Sequence, residues 1–303
     1  MKSLISIQNL GKDDIREIFA LTKQVKKTPK KFRHALDGEV VGMIFEKPST
    51  RTRLASEVGT YELGGNVFYQ GPEDTQLGVR EEIRDVARVM SRYMHAMVLR
   101  TFKHETIVEF DRYFKGPVIN GLSDREHPCQ AMADYFTLEE QFGPKKKPLL
   151  AFVGDGNNVL NSLILLCAKL GGRLRYATPK GHEPSASVLE QAKIIARSSK
   201  AEIHAAEQPA EAVREADAVY TDVWVSMGEE GMKQKKMKAF EGMQVNAQLM
   251  QAAKPGARVM HCLPAHRGEE ITNDMMESKQ SVVFDQAENR LHIHKAILLH
   301  LLS

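Results

Sequence analysis

Short apolar runs recur along this chain. Between most of them lie segments whose apolar residues repeat every three or four positions. The apolar runs are "VVGMIFE", "NVFYQ", "AMVLRT" and "PVINGLS" in the first half. After the proline-flanked "PKKKP" at 144–148 come "LLAFVGD", "LRYATP", "AEIHAAE", "AVYTDV", "ARVMHCLP" and "SVVFDQ". Between them, "DDIREIFALTKQV" sets Ile15, Ile18, Phe19, Thr22 and Val25 at helical spacing, with Asp13 as its expected N-cap. Further helices are expected over 49–63, stopped by Gly64-Gly65, over 81–93, 104–114 and 128–142, and over Ser185–Ser198. Strands alternating with helices predict parallel sheets covered by helices. Two such blocks predict an α/β protein of two domains, 1–143 and 144–286, with the active site in the cleft between them. The last helix, 287–303, is expected to return to the first domain.

Length and charge set limits. A chain of 303 residues, 42% hydrophobic and 27% charged, has room for a substantial core. A net charge of +3 with no long basic run argues against a nucleic-acid partner. No signal peptide is visible in "MKSLISIQNL", and no run reaches the ~18–20 apolar residues of a membrane span. Three cysteines, Cys129, Cys167 and Cys262, are too few and too odd for a disulfide framework; they predict a reducing, cytoplasmic setting.

In parallel α/β sheets, ligands bind beyond the carboxyl ends of strands. The unusual polar clusters sit there. "FEKPSTRTR" (45–53) packs Ser49, Thr50, Arg51, Thr52 and Arg53 into the start of a helix. A helix amino terminus offers free N–H groups and the positive end of a dipole, hydroxyls add donors, and a guanidinium fork matches phosphate oxygens. The segment reads as a phosphate or carboxylate cradle. The plainer reading is a serine N-cap followed by a solvated basic turn. It is not a nucleotide P-loop, because the glycine-rich loop and Gly-Lys-Ser/Thr ending are absent.

Five further clusters follow in order: "LRTF" (99–102), "HPCQ" (127–130), "GDGNN" (154–158), "DVWVSMG" (222–228) and "HCLP" (261–264). Together with "STRTR" they resemble the aspartate/ornithine carbamoyltransferase superfamily over essentially the whole chain. "SMG" and "HCLP" point to the ornithine-using branch. The resemblance implies carbamoyl transfer from carbamoyl phosphate to the δ-amine of L-ornithine, without cofactor or metal. It implies that Ser49, Thr50, Arg51 and Thr52 hold the phosphate and that Arg100 reaches both phosphate and carbonyl oxygen. His127 would donate to that oxygen. Gln130 and the backbone carbonyls of Cys262 and Leu263 would take the carbamoyl nitrogen, and Arg290 would add a further contact. Gln76 would be lent to a neighbouring subunit's site in a homotrimer. Asn158, Asp222, Ser226 and Met227 would grip ornithine, and Cys262 together with Asp222 would accept or relay the amine proton.

Two departures from the family pattern stand out. Ala55-Ser56-Glu57 replaces the usual Ser-Phe-Glu, one turn beyond the cradle, and "LGVREEIRD" varies the loop carrying Gln76. Plainer readings exist for single residues. Cys262 after an apolar strand could be packing, Cys129 filler, Trp224 packing, and Asp222 a turn residue. His292 and His294, two apart in a helix, lie on different faces and make a poor zinc pair even with His266. A nucleotide-dependent dehydrogenase is the rival reading of "LLAFVGDGNN", but Val159 stands where the third glycine of that fingerprint belongs.

Overall fold

The structure is a computed structural model and describes residues 2–74, 77–226 and 228–302. In chain order its regular elements are α1 (Lys12–Lys27), β1 (Val40–Phe45), α2 (Thr50–Glu62), β2 (Asn66–Gln70), α3 (Ile83–Met90), β3 (Ala96–Arg100), α4 (His104–Tyr113), β4 (Val118–Leu122) and α5 (Pro128–Phe142). There follow β5 (Leu149–Val153), α6 (Asn158–Leu170), β6 (Arg173–Ala177), α7 (Ala186–Ser199), β7 (Glu202–Ala205), α8 (Pro209–Val213) and β8 (Ala218–Thr221). The chain closes with α9 (Lys233–Ala239), α10 (Ala247–Met250), β9 (Arg258–His261), α11 (Asn273–Met276) and α12 (Val283–Leu302). It divides into two compact units, Met1–Ala133 with Glu288–Ser303, and Asp134–Ala287.

The first unit is built on a parallel four-stranded sheet, order β2-β1-β3-β4. β3 is buried along its whole length, as a central parallel strand must be. Ile44, Met97, Leu99 and Val118 of the sheet pack with Ala87 of α3 and Ile107 and Phe110 of α4. α1 buries Ile15, Ile18, Phe19, Thr22 and Val25, the face its spacing predicts. Its cap differs from expectation. Gly11 stands at the N-cap, its N–H donates to Asp14 Oδ2 at 2.8 Å, and Asp13 lies inside the first turn. There both acidic residues oppose the helix dipole's positive end. α2 stops where predicted, and Gly64 then takes φ +91°, a region glycine enters without strain.

The second unit carries a parallel five-stranded sheet, order β7-β6-β5-β8-β9. Its core includes Ala151 and Val153 of β5, Val219 of β8, Val259 of β9, Trp224, Phe240 and Val283. The predicted strand at 281–286 is not one. Ser281 makes only an isolated bridge to Val259, and Val282 N donates to Val259 O at 3.0 Å. From Val283 the chain is helical, with Asp285 in the favourable first turn. Among the described residues no helix is long and apolar enough to cross a membrane.

Candidate functional site

In the first unit the polar clusters converge at strand ends. β1 delivers the chain to Ser49, whose extended backbone makes it the N-cap of α2; its Oγ accepts from Thr52 N at 3.2 Å. Thr52, buried in the first turn, turns its hydroxyl inward, and Thr52 Oγ1 accepts from Arg290 Nη2 of α12 at 3.0 Å. Arg290 Nη1 donates to Gln130 Oε1, so one guanidinium ties α2, α5 and α12. Pro128 begins α5, where its missing N–H costs nothing, and His127 just before it accepts from the amides of Gln130 (3.1 Å) and Ala131 (3.2 Å).

Arg100 ends β3 where the register against β4 shifts, an irregularity that re-aims a side chain. It is 8% exposed, and its Nε has no hydrogen-bond partner among the described residues. Burial and the charges of Arg290 and Arg51 push Arg100 down to about 10. Burial, then the charges of Arg290 and Arg100, drive His127 well below its ordinary value, so its imidazole is neutral. A neutral imidazole still carries one N–H donor. Three guanidiniums repelling one another around buried donors make a site that an anion would relieve.

Not every residue of the predicted cradle joins it. Arg53 lies over the Tyr69 ring at 3.9 Å and pairs with Glu57 at 3.0 Å. Ser56, one of the departures, is buried. Its hydroxyl donates to Thr52 O (2.9 Å) and lies 3.1 Å from His294 Nδ1. With the hydroxyl proton used, Nδ1–H of His294 is the donor in that contact. Burial and Arg290 lower His294 to about 3. Gln76 lies outside the described residues.

The second unit gathers another set. Asp222, 5% exposed, follows β8. Its Oδ1 accepts from Val223 N (2.8 Å) and from Cys262 Sγ (2.8 Å), and Oδ2 accepts from Asn157 Nδ2 (2.7 Å). Asn157 caps α6 through its Oδ1, so the first asparagine of "GDGNN" fixes the turn and aligns Asp222. Asn158, the predicted ligand grip, is the first residue of α6 and partly exposed.

Cys262 follows β9. Burial first, then the Asp222 carboxylate, push its thiol well above the usual range, so at neutral pH it is a protonated donor. Preceding it, His261 accepts from Leu263 N through Nδ1 (2.8 Å), which places its proton on Nε2, facing Glu270 at 3.0 Å. That bond helps hold Leu263 at φ +61°, a left-handed conformation uncommon for a branched residue, and Leu263–Pro264 is cis. The bond from Leu263 N to His261 orients the Cys262–Leu263 peptide. Ser226 N donates to Glu229 Oε2 at 3.0 Å. Met227 lies outside the described residues.

Asp222, His261 and Cys262 offer ligand atoms within 4.8 Å of one another, as do His266, Glu269 and Glu270. In the first set the atoms are already committed, and in the second one oxygen of Glu269 is. The thiol is protonated against Asp222, the imidazole Nδ1 accepts a backbone N–H, and Glu269 is paired to Lys233 at 2.7 Å.

Comparison with known proteins agrees with the geometry. Residues 2–140 match the carbamoyl-P binding domain of aspartate/ornithine carbamoyltransferase, and residues 146–301 match its Asp/Orn binding domain. The chain is 48% identical over 308 residues to an ornithine carbamoyltransferase of Methanocorpusculum labreanum, covering 100% of this chain and 98% of that one. Its fold is similar to that of ornithine carbamoyltransferase from Pyrococcus furiosus, with a TM-score of 0.95 at 45% identity, covering 98% and 96% of the two chains. The anabolic ornithine carbamoyltransferase of Campylobacter jejuni aligns with a TM-score of 0.94 at 38% identity, covering 99% of each.

Proposed function

The chain belongs to the aspartate/ornithine carbamoyltransferase family, and from that premise we propose how its own residues perform the reaction. The enzyme transfers the carbamoyl group of carbamoyl phosphate to the δ-amine of L-ornithine, giving L-citrulline and phosphate. The likeness to an anabolic enzyme supports a place in arginine biosynthesis.

The observation that carries the assignment of roles is the trio Arg51, Arg100 and Arg290 around buried Thr52, His127 and Gln130. In our reading, the α2 amino terminus with Ser49, Thr50, Arg51 and Thr52 takes the phosphate. Arg100 and the neutral His127 donate to the carbonyl oxygen, on which negative charge builds as the amine attacks. A preorganised donor of that kind is worth ~3–4 kcal/mol in the transition state. Gln130 and the backbone carbonyls of Cys262 and Leu263 accept from the carbamoyl nitrogen. As the C–O bond to phosphate breaks, the guanidiniums neutralise the leaving group.

In the second unit, Asp222 suits an α-ammonium, and Asn158, Ser226 and Met227 complete the ornithine grip. The δ-amine attacks in its neutral form. As its proton reaches Cys262 Sγ, the thiol's own proton passes to Asp222 Oδ1 along the 2.8 Å contact. Ornithine with a model amine value near 10 must first lose a proton, so the rate should rise with pH.

We also read the enzyme as a cytoplasmic homotrimer in which Gln76 serves a neighbour's site. Leu54, Val58 and Tyr61 support this. They are 53%, 36% and 54% exposed at helical spacing on α2, an apolar stripe that another copy could cover. The roles are tested by measuring citrulline and phosphate together with Asp222→Asn. One phosphate per citrulline is expected, with ornithine use damaged far more than carbamoyl phosphate binding. Equal loss for both substrates would overturn the assignment of Asp222.

A further inference from the structure

α9 carries the run "KQKKMK", which by composition is a solvated face. Lys233, Lys235 and Lys238 are exposed, but Lys236 turns inward, its side chain 4% exposed. Its Nζ lies 2.7 Å from Asp155 Oδ2 and 2.6 Å from Glu229 Oε2. Burial alone would favour loss of its proton. The hydrogen bonds to the two carboxylates outweigh that and raise it overall. Asp155 is itself pushed up by burial, against the pull of Lys236, and its Oδ1 faces His182 Nδ1 at 3.4 Å.

A buried ammonium is costly, and an apolar side chain of similar volume commonly serves stability as well or better. The ion cluster is therefore better explained by the geometry it enforces. Glu229 Oε2, the atom that meets Lys236, also accepts the backbone N–H of Ser226 at 3.0 Å, and Ser226 O accepts Glu229 N at 3.0 Å. At the other end, Asp155 stands two residues before Asn157, whose amide holds Asp222 at 2.7 Å. Gly156, between them, admits no side chain. A Cβ there would lie 2.3 Å from Glu183 C and 2.4 Å from Pro184 N, so the segment bearing His182 is pressed against it. One ammonium thus joins the loop after β5 to the loop after β8.

We propose that Lys236 is a positioning residue for ornithine: through Glu229 it latches the Ser226 backbone to Asp155, and so sets the 222–228 loop relative to the Asn157–Asp222 pair. This rests on reading that loop as the ornithine grip. Lys236 touches neither substrate; it acts through Glu229.

The test compares Lys236→Met, Glu229→Ala and Glu229→Gln with Asp222→Asn, each assayed for KM of both substrates, kcat and Tm. Lys236→Met and Glu229→Ala should raise the ornithine KM at least tenfold and leave the carbamoyl phosphate KM within twofold. Glu229→Gln keeps an acceptor for Ser226 N and should fall between. Should Lys236→Met fail to fold, Glu229→Ala, at a partly exposed position, breaks the same latch from the loop side. If Asp222→Asn raises the ornithine KM and Glu229→Ala leaves it unchanged, the latch is wrong and the loop assignment stands. If Asp222→Asn leaves the ornithine KM unchanged, the loop assignment itself falls and the latch with it. Equal rises in both KM values with a large fall in Tm would show a structural role only and overturn the proposal.

Discussion

Arg290→Met removes one cation from the anion site and keeps most of the side-chain volume. In the folded enzyme Arg290 is 2% exposed, donates to Gln130 and Thr52, and presses on both Arg100 and His127. Losing a charge-assisted contact to a bound phosphate costs about 1.5–3 kcal/mol, which is roughly a 10- to 150-fold rise in the dissociation constant. The assay is thermal unfolding with and without carbamoyl phosphate. At a ligand concentration of about 100 times the wild-type Kd, binding stabilises the wild type by about 2.7 kcal/mol. A variant binding 100-fold more weakly gains only about 0.4 kcal/mol at that concentration. Without ligand, the loss of two hydrogen bonds is partly offset by relief of repulsion, so the free variant should be only mildly destabilised. A variant that shows the full ligand-induced shift, and saturates with carbamoyl phosphate at wild-type concentrations, would refute the reasoning.

Three other outcomes follow. His127 and His294 bind a proton near pH 6.5 when unfolded and resist it when folded, His294 down to about 3. The unfolded state therefore holds more protons in that window, and stability should fall as pH drops below about 6.5, by up to ~1.4 kcal/mol per pH unit for each group. His294→Gln should reduce the slope of unfolding free energy against pH between 4 and 6, and an unchanged slope would contradict the buried neutral imidazole. Cys262 is held protonated and Cys129 and Cys167 are pushed up to about 12, so iodoacetamide should label all three slowly at pH 8; rapid alkylation of Cys262 would contradict its hydrogen bond to Asp222. Subunits of Arg51→Ala and Gln76→Ala, dissociated and reassembled together, should regain part of the activity through interfaces in which both residues are native, whereas a monomer by light scattering at assay concentration would remove the trimer.

Much of this architecture is legible in the sequence. Most strands of the two sheets announce themselves as apolar runs, because both faces of a covered parallel strand are buried; β2 and β7, at sheet edges and only partly covered, are marked by their place in the alternation. Ser49 was readable as a cap, since its hydroxyl follows a strand and precedes helical spacing. The misread segment, 281–286, failed for a local reason. Val282, Val283 and Phe284 look like a strand, but β9 has only Val259 to offer Ser281, and the chain is already helical at Val283. Asn157 was overshadowed by Asn158 because adjacent asparagines are indistinguishable until the cap geometry chooses one. Lys236 was illegible. Nothing in "KQKKMK" marks which lysine turns inward, and Asp155, the partner that draws Lys236 in, lies 81 positions away. His294 was read only as one of two histidines on different faces. Its pairing with Ser56, across 238 positions, links the family departure in α2 to α12.

The most direct measurement of the central claim is kcat/KM for L-ornithine, N-acetylornithine, putrescine and aspartate at matched conditions with saturating carbamoyl phosphate. A site that grips both ends of a short diamino acid leaves buried polar groups unpaired when the wrong ligand enters, and such penalties can separate substrates by orders of magnitude. Ornithine should exceed each of the others by at least 100-fold. Any of the three matching or exceeding ornithine would contradict the assignment of the 222–228 loop and, with it, the acceptor.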